Sequence, residues 1–122
     1  MPLEAPRQAA DSYSLYTRAS DLSAALSHWI PVPEAGFIEK VIVTRNATFD
    51  APVVLTLATP NGTVGQTLTL PTGGAAGDVD VFDVSKGAAN NHVEANQAIN
   101  IESDGGGTTA GAAEITVVMG VY

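Results

Sequence analysis

Residues 36–70 read GFIEKVIVTRNATFDAPVVLTLATPNGTVGQTLTL and hold three apolar runs, Phe37–Thr44, Val53–Thr59 and Thr67–Leu70, separated by turn-forming residues. In the second run Val53, Leu55 and Leu57 alternate with Val54, Thr56 and Ala58, which sets the bulkier side chains on one face at the period of a half-buried strand. Gln66, Leu68 and Leu70 alternate with Thr67 and Thr69 in the same way. Between them Pro60-Asn61-Gly62 offers left-handed backbone positions for a tight hairpin, because Asn and Gly tolerate positive φ at little cost. The three runs together predict a β-meander. In the first run Phe37, Val41 and Val43 share a face with Glu39, and Ile38 and Ile42 share the other with Lys40. Two apolar faces predict a strand inside a sheet, or one whose outer face another subunit covers.

Downstream, Pro71–Gly77 is too rich in glycine and small residues for a helix and reads as a loop. Asp78–Val84 follows as a strand with Val79 and Val81 inward and Asp78 and Asp80 outward; Phe82 and Val84 then fall on the wrong face, which predicts a bulge near Phe82. Residues 86–96 read as an irregular connection or a single helical turn. Ala98–Ser103 is a strand, Asp104–Thr109 a hairpin loop, and Ala113–Tyr122 a last strand with Ile115, Val117, Met119 and Val121 on one face. Upstream, Asp21 could cap a short helix, but Pro31 and Pro33 cut the tract short, and Trp29 and Ile30 fit a strand at a sheet edge. Residues 1–20 read as an extended arm, either a frayed terminus or a segment that packs on a neighbouring subunit through Tyr13, Leu15 and Tyr16. The fold class is all-β: an antiparallel β-sandwich or jelly roll of about seven to eight strands, with an arm over 1–20 and one sandwich domain over 21–122.

Composition narrows the function more than any motif does. The chain has 122 residues and a formal charge of −8, with Arg7, Arg18, Lys40, Arg45 and Lys86 as its basic side chains. So few cations cannot line a phosphate-binding groove, and nucleic acid is not expected as a partner. There is no cysteine, which removes thiol nucleophiles, disulfides and zinc–thiolate sites together. The start of the chain has neither a basic nor an apolar stretch of the secretory kind, and no run approaches the ~20 apolar residues of a membrane helix, so a soluble protein made in the cytosol is expected. His28 and His92 are the side chains that titrate near neutrality, and no GxSxG, HExxH or phosphate-loop spacing occurs. Ser14, Ser27 and Ser85 have no recognisable base partner. The expectation is no catalysis, no cofactor and no resident metal. Asp78, Asp80 and Asp83 could gather calcium but lack the glycine-punctuated loop that would fold them round one ion, and a solvated acidic face is the expected reading. Asn46-Ala47-Thr48 and Asn61-Gly62-Thr63 match the glycosylation sequon, although Asn61-Gly62 is already explained as a turn. Trp29 suits a sugar platform by residue type, but a core or interface anchor is the favoured reading.

The segments Trp29–Ile38, Leu68–Pro71 running on to Gly77–Asp80, Asn96–Ile101, Ser103–Gly106 and Ala113–Val118 follow one another in an order that resembles the jelly-roll capsid decoration (cement) proteins of tailed bacteriophages. The likeness spans about three quarters of the chain and rests on strand and turn order. It implies a homotrimer, synthesised in the host cytoplasm, that sits on the outer capsid surface of the virion and ties adjacent copies of the major capsid protein together. No motif of the family assigns contact residues. From the sequence the candidate interface groups are Tyr13, Leu15, Tyr16, Trp29, Ile38 and Ile42. Two other classes stay open: a carbohydrate-binding or host-attachment module of a phage fibre or secreted enzyme, and a trimeric jelly-roll hydrolase, for which no ordered acid, base and phosphate loop is visible.

Overall fold

The computed structural model describes residues 12–105 and 111–121. Among these residues there are nine strands and no helix: β1 (Ser12–Ala19), β2 (Ser27–Pro31), β3 (Gly36–Arg45), β4 (Val53–Thr59), β5 (Gly62–Leu70), β6 (Val79–Asp83), β7 (His92–Val93), β8 (Ala98–Ser103) and β9 (Ala113–Gly120). They form two antiparallel sheets. One runs β1-β9-β3-β6, with β7 pairing the start of β3; the other runs β2-β8-β4-β5. The chain is thus an antiparallel β-sandwich of the jelly-roll class, with one or two strands more than expected. No helix of the described residues is long and apolar enough to cross a membrane.

The alternation in β4 and β5 holds. Val53, Leu55, Leu57, Leu68 and Leu70 are fully buried, and Thr56, Thr67 and Thr69 are exposed. The meander does not form, because β3 lies in the opposite sheet. Period-two patterning fixes which face a strand buries, not which strand it pairs with. The segment between β3 and β4 crosses the sandwich instead, and it is pinned there by the fully buried Phe49, whose backbone pairs with Gly73. The β4–β5 hairpin turns at Pro60 and Asn61 as expected, but positive φ is confined to Gly62. Asn61 serves through its side chain, whose Nδ2 donates to the His92 carbonyl at 2.9 Å.

Strand β3 is interior, between β9 on one side and β6 and β7 on the other. Its faces are not those the sequence predicts. A bulge between Ile38 and Lys40 carries Ile38 onto the core side with Val41 and Val43, opposite Met119, and leaves Ile42 half-buried on the outer side. The backbone freed by the bulge is taken up by Asn91, a buried side chain from the irregular connection before β7. Its Oδ1 accepts from Ile38 N at 3.0 Å, and its Nδ2 donates to Ile38 O at 2.8 Å and to Ser85 O at 3.1 Å. The Glu39 carbonyl accepts from Val84 N at 2.9 Å. A side-chain amide here does the work of a strand partner in the gap between β6 and β7.

Strand β6 is inverted relative to expectation. Val79 and Val81 point outward, while Asp80 and Phe82 point in and Val84 is buried; the register from Lys40↔Asp83 to Thr44↔Val79 is unbroken, so no bulge is needed. The cause is Arg45 at the end of β3. Its buried guanidinium binds the Asp80 carboxylate from Nε at 2.8 Å, donates to the Gly73 carbonyl at 2.6 Å, and lies 4.2 Å from the centre of the Phe49 ring. An aspartate reads as outward by type, but a buried arginine supplies both its counter-charge and its hydrogen bonds.

The N-terminal segment also differs. Ser12–Ala19, expected within the arm, pair with β9 over eight residues, from Ser12↔Gly120 to Ala19↔Ala113. Residues 1–11 of the expected arm, most of the 104–109 loop and Tyr122 lie outside the described residues. Asp21 caps no helix; its Oδ1 accepts from Ser23 N at 2.9 Å in a local turn. Strand β2 is an edge strand carrying Pro31, as expected, and β8 and β9 bury Ile99, Ile101, Ile115, Val117 and Met119 as their alternation predicts.

Candidate interaction surfaces

No cavity opens among the described residues, and no three metal-ligating side chains gather there. The groups weighed for chemistry are spread over the molecule. His28 is on β2 with its Nε2 buried and without a hydrogen-bond partner, whereas His92 is on β7 of the other sheet with Nε2 2.6 Å from Glu94 Oε1. Asp78 accepts from Ala75 N at 2.8 Å, Asp80 is held by Arg45, and Asp83 lies 3.7 Å from Lys40 on the opposite face of the sheet. The three aspartates therefore neither converge on an ion nor form one acidic face. Ser27 donates to Glu102 at 3.2 Å, and Ser85 Oγ accepts from Gly87 N.

What the fold does build is two contrasting outer faces. On the five-stranded sheet, cross-strand neighbours form three rows: Arg18, Glu114, Thr44 and Val79; then Tyr16, Thr116, Ile42 and Val81; then Ser14, Val118, Lys40 and Asp83. Residues opposite one another on neighbouring strands stand about 5 Å apart, so these rows are continuous side-chain surfaces. Tyr16, Val79 and Val81 are 61%, 55% and 53% exposed; half-buried Thr116 and Ile42 stand between Tyr16 and Val81, and half-buried Val118 lies in the adjoining row. This apolar strip is bounded at diagonal corners by two ion pairs, Arg18–Glu114 at 3.5 Å and Lys40–Asp83 at 3.7 Å. The Tyr16 hydroxyl also donates to Glu114, which holds its pKa above the ordinary tyrosine value.

On the four-stranded sheet the outer face is mainly polar, with Ser27, Glu102, Thr56 and Thr67 in one row and Trp29, Asn100 and Ala58 in the next. Trp29 is 66% exposed, so it is not a core residue, and the Oδ1 of Asn100 beside it is buried without a partner.

The candidate interface residues thus divide. Tyr16 and Ile42 share the apolar strip. Tyr13 and Leu15, on alternate positions of β1, turn inward and pack on the core, with the Tyr13 hydroxyl donating to the Glu34 carbonyl. Ile38 is a core residue with no exposed surface and offers nothing to a partner. Trp29 stands alone on the opposite sheet. Sequence reading missed Val79, Val81 and Val118. Val79 and Val81 read as inward by their apolar type, and the signal that could have corrected it was Arg45, a cation on the same face of β3 as Val41 and Val43.

Neither a protein-family model nor any curated protein matches this sequence. Among solved structures, a chain of the cyanophage Pam1 capsid asymmetric unit superposes with a TM-score of 0.57 at 14% identity, over 100% of this chain and 94% of that one. AlgX of Pseudomonas aeruginosa superposes with a TM-score of 0.52 at 13% identity, over 88% of this chain but 26% of AlgX. A chain from the acid-stable capsid of Helicobacter pylori bacteriophage KHP30 aligns at a TM-score of 0.49 and 10% identity, over 92% of this chain and 89% of that one. The first two likenesses establish that the sandwich fold is shared, and no residue role comes with them.

Proposed function

We propose that this chain is a structural protein of a tailed-phage virion, a decoration protein that binds the outer surface of the head as a homotrimer and clamps adjacent copies of the major capsid protein. The observation that carries this reading is the apolar strip of Tyr16, Ile42, Val79, Val81 and Val118, a contact surface on a body whose described residues form no cleft. The end-to-end superposition on a phage capsid chain supports it at the level of fold. A formal charge of −8 suits a location outside the shell, away from packaged DNA. A trimer turns weak single contacts into firm attachment through effective concentration. The whole reading is tested by mixing the purified protein with heads of the phage that encodes it: it should co-sediment saturably, and protein that stays in the supernatant would sink the idea.

A second reading, a glycan-binding or host-attachment module, is favoured by one feature, the exposed Trp29 on the outer face of the four-stranded sheet. Aromatic rings stack on sugar faces. Glycan-array binding that Trp29→Ala abolishes, with no affinity for heads, would select this reading over the first.

A further inference from the structure

The three cross-strand rows on the outer face of the five-stranded sheet are charge-balanced in a strongly acidic chain. They carry Arg18, Glu114, Lys40 and Asp83, two of each sign, so the formal charge of −8 resides outside these rows. Two copies of such a body repel one another along most lines of approach, and least where a neutral apolar surface meets another. The two lateral halves of this face are also unlike. The β1 side carries Tyr16 and Arg18, and the β6 side carries Val79, Val81 and Asp83. A large amphipathic ring and a cation stand on one side, and two exposed valines and a carboxylate on the other.

We propose that these halves bind each other between copies: the β1 half of one subunit packs on the β6 half of the next, with Tyr16 covering Val79 and Val81 and Arg18 pairing with Asp83 of that neighbour. Unlike patches on one face can pair reciprocally about a two-fold axis or join head to tail, in which case they close into a ring where the rotation between neighbours allows it. The ring size of three rests on the decoration reading above; the contact itself follows from the face. The existing ion pairs leave room for the exchange. Arg18–Glu114 and Lys40–Asp83 are long, and the Asp83 side chain is 84% exposed, so re-pairing across subunits gives up little.

The test is the native mass of the full chain. The wild type should run as a trimer. Arg18→Asp and Asp83→Arg, each placing like charges across the contact, should lose the trimer, and the two reversals combined should restore it. Tyr16→Ser, which alters no charge, should lose it as well, while Trp29→Ala, on the other sheet, should keep it. A monomeric wild type, single reversals that stay trimeric, or a folded double variant that fails to reassemble would overturn the proposal. Head binding is read separately. Trimers with this charge-swap pattern that ignore heads would defeat the decoration reading alone, and single reversals that stay trimeric while the protein still decorates heads would defeat the ring contact alone.

Discussion

Strands β3 and β6 carry two cation–carboxylate pairs on opposite faces of the same ladder, Arg45 with Asp80 inside and Lys40 with Asp83 outside. The inner pair is close at 2.8 Å and the Arg45 side chain is 3% exposed; the outer pair is 3.7 Å apart and mostly in water. Identical chemistry serves two ends. Inside, the pair decides which way β6 faces and ties down the 71–78 loop through the Gly73 carbonyl. Outside, it frames an apolar strip and stays free to exchange partners.

The largest expected effect breaks the inner pair. Arg45→Met leaves the Asp80 carboxylate partly buried without a counter-charge and removes the cover from Phe49. Breaking a buried pair by removing one partner costs about 3–5 kcal/mol. Urea denaturation should show a loss of that order, and a loss below about 1 kcal/mol would mean that the pair does not orient β6. Next comes the contrast between two isoleucines of β3. Ile38→Ala opens a cavity in the core and should cost about 2–5 kcal/mol. Ile42→Ala, half-buried on the outer side, should cost clearly less in the monomer and show its effect in assembly. Similar losses for both would contradict the phase change at the bulge.

Asn91→Ala should fall below these. It leaves the backbone N–H and C=O of Ile38 without their side-chain partners, at about 1–3 kcal/mol for a buried unsatisfied group. Faster amide exchange at Ile38 in the variant would locate the damage. An unchanged exchange rate there would mean that the amide is held by the Asn91 carbonyl alone, which lies 3.3 Å away.

These residues also mark where the sequence was readable. Single-sided alternation, as in Val53–Thr59, Ala98–Ser103 and Ala113–Gly120, translated directly into buried faces, because a strand covered on one side has one way to place its large residues. The two-sided β3 did not. With apolar residues on both faces, nothing in its own pattern signals a bulge, and the compensating Asn91 is more than fifty residues away in the chain. The orientation of β6 failed for a related reason: aspartate was priced as a solvated group, and its burial depended on Arg45, 35 residues earlier. The apolar strip, the basis of the candidate site, became visible only after that inversion turned Val79 and Val81 outward.

The smallest stability effects belong to the outer pair. Lys40→Ala or Asp83→Ala should change monomer stability by about 0.5 kcal/mol or less, and salt should shrink even that. A finer probe of the same exterior is the pair of tyrosines on β1, which face opposite ways. Tyr16 titrates above the ordinary tyrosine value chiefly because its hydroxyl donates to Glu114; Tyr13 is also raised, first by burial and then by the nearby Glu34 carboxylate. A raised folded-state pKa means that the Tyr16–Glu114 contact contributes in full below pH 10, the ordinary value, and is lost as pH rises through the higher folded value. Glu114→Gln removes the negative charge and should bring the Tyr16 phenolate transition down while Tyr13 stays where it was. Arg18→Ala should move Tyr16 slightly the other way, since that guanidinium favours the phenolate. Phenolate absorbance during an alkaline titration reads both. If Glu114→Gln shifts the two tyrosines equally, the variant has loosened β1 as a whole, and the outer face is then no independent surface but part of the same locked structure as the core.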